Sequence, residues 1–201
     1  MDSIQTQMFL PSQVVSGDIE NFSKQSHLLI DWIYNYRDRF PRSANISNEN
    51  GWQSYDKKFY RTEETFEPWL KLLVQEIADL VDSYRLNCAI DLTSLWFNIN
   101  SQYSYNVKHS HPGALLSGVL WVKVPKDSGK FHFVLPDSYF QPELIENTEE
   151  SYANEMNLFG TYPVDDREGR LMIFPSNMPH RVTMNKSTED RISISFNLIA
   201  K

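Results

Sequence analysis

Hydrophobic residues recur at helical spacing in the first third of the chain and at every second position beyond it. Between residues 19 and 40, Phe22, Leu29, Trp32, Ile33 and Tyr36 fall on one helical face, and Pro41 with the Asn- and Gly-bearing stretch to Gly51 ends the segment. A second stripe, Phe66, Leu70, Leu73, Val74, Ile77, Leu80, Val81 and Tyr84, predicts an amphipathic helix whose apolar face packs on a sheet. From about residue 89 the period is two. Leu95, Phe97 and Ile99 alternate with Trp96, Asn98 and Asn100, and strand-like runs follow at 115–124, 130–135, 170–174 and 179–185. The run from Arg191 alternates most cleanly: Ile192, Ile194, Phe196 and Leu198 oppose Arg191, Ser193, Ser195 and Asn197. Pro125, Asp127, Ser128 and Gly129 mark a hairpin turn.

Helices first and strands after make an α+β pattern, mostly β with N-terminal helices, in which antiparallel strands form a sandwich or barrel. The 201 residues suit a single domain, with a helical bracing segment at 19–88 and a β core at 89–200. Residues 136–168 read as a long loop carrying Pro136, Pro142 and Pro163, an acidic cluster between Glu143 and Glu155, and Tyr139, Phe140, Tyr152 and Phe159. A loop of this length predicts a lid.

Composition narrows the function classes. With 41% hydrophobic and 22% charged residues the chain reads as globular rather than disordered. A net charge of −7 without a basic run argues against a nucleic-acid binder that works by neutralising phosphates. The single cysteine, Cys88, excludes an intrachain disulfide framework and reads as a small buried apolar residue. There is no signal-peptide pattern at the start and no apolar run long enough for a membrane span, so the expected location is cytoplasmic, with no membrane partner.

The candidate chemistry lies in the histidines. Of the five, His27 falls mid-helix and His132 in a strand, where nothing around them suggests a ligand. His109 and His111 differ. On an extended segment they project from one face, about 6–7 Å apart at the backbone, from where two imidazoles can converge on one ion. His180, just after Pro179 at the start of a later strand, can bring a third if the two strands are neighbours. Eleven residues on, Arg191 and Ser193 share a strand face, and a guanidinium with a hydroxyl beside it suits a carboxylate.

In order and spacing, the landmarks "GWQS" (51–54), "HSHPGALLSGVLWVKVP", "LMIFPSNMPH" and "RISISFN" resemble the 2-oxoglutarate, iron(II)-dependent oxygenases, in a branch similar to 2OG-Fe(II) oxygenase family 5. The resemblance spans residues 50–199. It implies a double-stranded β-helix (jelly roll, cupin-like) of about eight strands, with the two N-terminal helices bracing one sheet. It further implies Fe(II) held by His109 and His180, and 2-oxoglutarate held at its distal carboxylate by Arg191 and Ser193. The activity implied is hydroxylation of a small-molecule or peptide substrate by O2, with release of succinate and CO2. Asn98, Asn100, Tyr103 and Tyr105 lead into the histidine segment, and Asn98 and Tyr105 are candidate cosubstrate contacts. A homodimer is compatible with this reading.

The family usually places an acid two residues after the first histidine, completing a two-histidine, one-carboxylate triad. Here that position is His111. Either it is a third neutral ligand, or it stands behind the metal and water takes its place. Two further readings share the fold: a cupin-type three-histidine dioxygenase without 2-oxoglutarate, and a non-catalytic ligand-binding jelly roll. Arg191 separates the first of these, because an enzyme without a cosubstrate has no evident need of the clamp.

Overall fold

The computed structural model describes residues 12–44, 46–134, 146–155 and 160–201. Residues 136–145 and 156–159 of the loop expected as a lid, among them Tyr139, Phe140 and Phe159, lie outside the described residues. Helix α1 (Phe22–Arg39) buries Phe22, Leu29, Ile33 and Tyr36 on one face and carries Arg37 and Arg39 in its last turn, where positive charge suits the helix dipole. Pro41 follows the C-cap residue Phe40 and cannot extend the ladder. Helix α2 (Glu67–Asp82) has a proline at its start, where the missing N–H has no helical partner to lose, and buries Leu73 and Ile77. Val74, placed on the apolar stripe by periodicity, is 46% exposed, because it stands about 100° round the helix from Leu73. A short third helix, α3, spans Glu150–Glu155.

Among the described residues, eleven strands form two antiparallel sheets. They are β1 (Val15–Asp18), β2 (Asn48–Glu49), β3 (Trp52–Gln53), β4 (Ile90–Asn100), β5 (Tyr105–His109), β6 (Leu116–Lys123), β7 (Phe131–Val134), β8 (Thr161–Pro163), β9 (Arg170–Pro175), β10 (His180–Val182) and β11 (Arg191–Ala200). The six-stranded sheet runs β1-β9-β6-β11-β4-β3 and the five-stranded sheet β2-β5-β10-β7-β8. This is the jelly roll. Its long central pair is the two most regular alternating runs of the sequence, β11 on β4, with Ile194 opposite Phe97 and Ser193 opposite Asn98.

That alternation decides what each face does. Leu95, Phe97, Ile99, Ile192, Ile194, Phe196 and Leu198 point outward into a core with the helices; α1 packs on β6 and α2 on β9. An aromatic cluster of Trp32, Tyr36, Phe59, Phe66 and Phe97 knits that layer, Phe59 and Phe97 having ring centroids 4.7 Å apart. The opposite, polar set of β4 and β11 faces into the roll. A smaller apolar core between the sheets, built from Val119, Trp121, Phe131, Phe133, Met172 and Phe174, closes it on one side.

The strand after the second helix starts at Ile90, next to the change of period at about residue 89. Cys88 lies in the bend ahead of β4 and is exposed, not buried, since the chain turns there before any sheet neighbour can cover it. Strand β10 is also shorter than expected, three residues, because Asn185 draws the chain into a turn: its Nδ2 donates to Asn100 O and Glu189 O, and its Oδ1 accepts from Ser187 N. Among the described residues, no helix is long and apolar enough to cross a membrane.

Candidate metal centre

Strands β5 and β10 are neighbours, and their register sets His109 directly opposite His180. His111 arrives differently from the extended pair expected of the sequence. The strand stops at His109, and His111 sits in the following turn, its N–H donating to Ser176 O at 2.8 Å. The ring centroids of His109 and His180 are 4.3 Å apart, those of His111 and His180 5.0 Å, and those of His109 and His111 5.2 Å. One ring nitrogen of each lies within 4.8 Å of the others.

A bulge makes the convergence possible. Between His180 and Val182 two residues of β10 oppose the longer step from His109 to Asn106 on β5, so the alternation of β5 slips by one. Asn106 and His109 therefore both line the interior, a result simple period-two counting cannot produce. Tyr105 consequently falls outside the lining, and Tyr103, at 59% exposed, is a surface residue.

Hydrogen bonds fix each ring. His109 Nδ1 lies 2.8 Å from Val107 O and His180 Nδ1 2.9 Å from Met178 O. A carbonyl only accepts, so in both rings Nδ1 carries the proton and Nε2 keeps its lone pair. His111 Nδ1 sits 2.8 Å from Asn197 Oδ1 and 2.9 Å from Ser117 Oγ, while Ser117 Oγ donates to Asn197 Oδ1. With the amide carbonyl as acceptor, its Nε2 is free as well. Backbone carbonyls and an amide in this role are what orient metal-binding imidazoles.

The surroundings hold these rings neutral. Burial, then the charge of His109, pulls His111 down to about 4, and the same two causes in the same order pull His180 down to about 3. His109 is lowered chiefly by burial. Aromatic rings supply the desolvation: Phe131 stacks on His180 at 5.2 Å, and Trp96 meets His111 edge-on at 5.4 Å. Two nitrogens bonded to one ion at about 2.1 Å sit at most about 4.2 Å apart, so inward ring rotations of about an ångström convert this cluster into a ligand set. A trio of lone-pair nitrogens with no proton to lose fits a divalent transition metal.

Around the histidines a cavity of about 40 Å³ is lined by polar side chains, including Gln53, Asn98, Asn106, Ser193 and Ser195. They form a chain: Gln53 Nε2 donates to Asn98 Oδ1 at 3.0 Å, and Asn98 Nδ2 to Ser195 Oγ at 3.2 Å. The buried Gln53 Oε1 has no partner. Asn98, a candidate from the sequence, is thus at the site, as is Ser193. Asn100 stands one step behind, bonded to Asn48 and Asn106. Trp121, assigned to the core by its sequence context, is in the core and also lines the cavity.

Arg191 has company the sequence does not reveal. It is 3% exposed, and its Nη2 donates to Asp166 Oδ2 at 2.7 Å, with a longer bond from Nη1 to Gly129 O at 3.4 Å. Asp166 in turn accepts from Phe131 N and Lys130 Nζ. Burial lowers the Arg191 pKa and Asp166 opposes that shift. The guanidinium is not part of the lining around the histidines; Ser193, two residues along the same strand face, is.

Residues 94–197 match the family described as "Putative 2OG-Fe(II) oxygenase" (2OG-FeII_Oxy_5), a span that runs from β4 to β11 and contains all three histidines and Arg191. The chain belongs to this Fe(II)- and 2-oxoglutarate-dependent oxygenase family. No curated protein matches it. Among solved structures, a Pseudomonas putida prolyl-4-hydroxylase is 15% identical with a TM-score of 0.60, covering 94% of this chain and 92% of its own. The α-ketoglutarate-dependent epimerase SnoN of nogalamycin biosynthesis is 15% identical with a TM-score of 0.66, covering 94% and 79%. HygX from Streptomyces hygroscopicus, solved with nickel and 2-oxoglutarate, is 12% identical with a TM-score of 0.63, covering 94% and 83%. At these identities the likeness is one of fold.

Proposed function

We propose that this oxygenase is a hydroxylase of a small-molecule or peptide substrate, with His109, His111 and His180 as its metal ligands and 2-oxoglutarate held at its distal carboxylate by Arg191 and Ser193. The observation that carries the reading is the convergence of three imidazoles whose Nδ1 protons are all committed elsewhere. Bound Fe(II) and 2-oxoglutarate would supply the oxidising chemistry, consuming O2 and releasing succinate and CO2. The chain's own contribution is placement and environment. Val107 O, Met178 O and Asn197 hold the rings; Phe131, Trp96 and Trp121 keep bulk water from the centre.

Arg191 suits its part because Asp166 uses one edge of the guanidinium and leaves other N–H donors free, a fork already ordered before any ligand arrives. Asp166 then acts as a fixed counterion that makes a buried guanidinium tolerable. The cavity in this conformation accommodates an ion and its water. Seating the cosubstrate against Arg191 requires lining side chains to move.

The test is anaerobic addition of Fe(II) and then 2-oxoglutarate to metal-free protein, followed by visible absorption. Chelation of Fe(II) by the keto acid gives a charge-transfer band. The reading expects that band in the wild type, its loss in His109→Ala and His180→Ala, and a weaker 2-oxoglutarate affinity in Arg191→Met. Stoichiometric metal binding with no response to 2-oxoglutarate would contradict it.

A further inference from the structure

The residues lining the histidine cavity include no carboxylate and no cation. Three neutral imidazoles leave a bound divalent ion its full charge, which a 2-oxoglutarate dianion cancels. Arg191 is already matched by Asp166, their side chains being 4% and 0% exposed. Among the described residues, no carboxylate matches Lys57. Its Nζ lies 4.5 Å from the centroid of the Trp96 ring, the same ring that lines the cavity and meets His111. Its charge is felt at both His109 and His111, which it pushes downward.

The placement is fixed by backbone. Lys57 O accepts from Leu95 N at 2.9 Å, which ties the lysine to β4 one residue before Trp96. The adjacent acid, Asp56, spends an oxygen on Lys58 N, and among the described residues no carboxylate pairs with the Lys57 ammonium. Holding an ammonium half-buried on an aromatic face without a counterion costs free energy that cation–π attraction offsets only partly.

We propose that Lys57 determines substrate choice by binding a carboxylate of the substrate on the Trp96 side of the His109–His111–His180 cavity. This rests on the reading of that cavity as an Fe(II) and 2-oxoglutarate centre. The charge balance favours a singly charged anion: ion and cosubstrate cancel, and Lys57 leaves one positive charge. The unpartnered Gln53 carbonyl in the same lining offers an acceptor for an N–H or O–H of the same molecule. Together they describe an amino-acid-like or hydroxy-acid-like substrate with a free carboxylate.

The probes are N-acetyl amino acids and their C-terminal amides, which share the N–H and differ in the anion. Fe(II)-loaded protein is supplied with 2-oxoglutarate and O2, and succinate release is followed with each probe. The wild type is expected to be stimulated by acids at concentrations at least tenfold lower than by the amides. Lys57→Met should erase that preference, Lys57→Arg should retain it, and Lys58→Met, an exposed neighbour, should leave it unchanged. The Fe(II)–2-oxoglutarate absorption band reports separately on the parent reading and should persist in Lys57→Met. Equal preference in wild type and Lys57→Met overturns the proposal, as does a wild type indifferent to the anion. Weakened 2-oxoglutarate affinity in Lys57→Met also overturns it, because the ammonium would then serve the cosubstrate. Absence of the band in the wild type removes the parent reading as well.

Discussion

His111 stands where the family commonly has an acid, and its hydrogen bonds indicate how an imidazole would serve there as a ligand. Asn197 and Ser117, on β11 and β6, grip Nδ1 and leave Nε2 to the centre. His111→Ala is therefore expected to weaken Co(II) or Fe(II) binding at least tenfold, and Asn197→Leu, which removes the acceptor, to weaken it by a smaller factor. Unchanged affinity in His111→Ala, measured by metal titration, would place the ring behind the metal. Proton linkage follows from the same burial. Because the rings titrate below their ordinary range, metal affinity should stay nearly flat between pH 7.5 and about 6 instead of falling with an ordinary histidine. For metal-free protein the sign is that of a depressed pKa: the unfolded chain binds the protons more readily, so stability is full above about pH 6.5 and declines as pH falls toward about 4 and about 3. His111 alone contributes on the order of 3 kcal/mol to that decline, readable from urea unfolding across the range.

At the scale of elements, β4 and β11 carry both jobs of the protein, apolar outward and polar inward, and this was legible from their alternation. Gly118 on β6 leaves no room for a side chain in the outer layer, since a Cβ there would run into the Phe196 ring. Gly118→Ala is expected to cost about 1–3 kcal/mol by overpacking. Phe196→Leu in the same chain should recover part of the loss, checked by denaturant midpoints of the single and double variants. The β5 bulge was not legible, and with it went the exchange of Tyr105 for Asn106 at the cavity. A bulge depends on how many residues the partner strand supplies, which no single segment encodes. Asp166 was hidden for a similar reason: it lies in the acidic, loop-like tail of the 136–168 stretch, and only the folded chain carries it beneath Arg191. Asp166→Asn is expected to destabilise by about 3–5 kcal/mol, because it leaves a buried guanidinium without its countercharge. Arg191→Met should cost less, as Lys130 and Phe131 N still satisfy the carboxylate. Thermal or urea unfolding of the two variants gives the comparison.

Across the whole molecule, His109 and His180 lie on the five-stranded sheet, and the helices cover the outer face of the six-stranded one. The large apolar core lies between that sheet and α1 and α2, so the interior of the roll is free to be polar. That division is why the order of helices and strands was enough to read the fold, and why one histidine pair and a later histidine were enough to expect the three rings that the structure brings together. Lys57 shows what such a reading misses: in sequence it is one of two adjacent lysines, and its position over Trp96 emerges only when the segment before α2 docks on β4. At the heart of the roll we propose a metal held by three neutral imidazoles, His109, His111 and His180. X-ray absorption at the iron edge of the anaerobic Fe(II)-loaded protein tests it most directly. Three imidazole nitrogens at about 2.1 Å, falling to two in His111→Ala, is the predicted result; two imidazoles in the wild type, or a first shell without them, would contradict it.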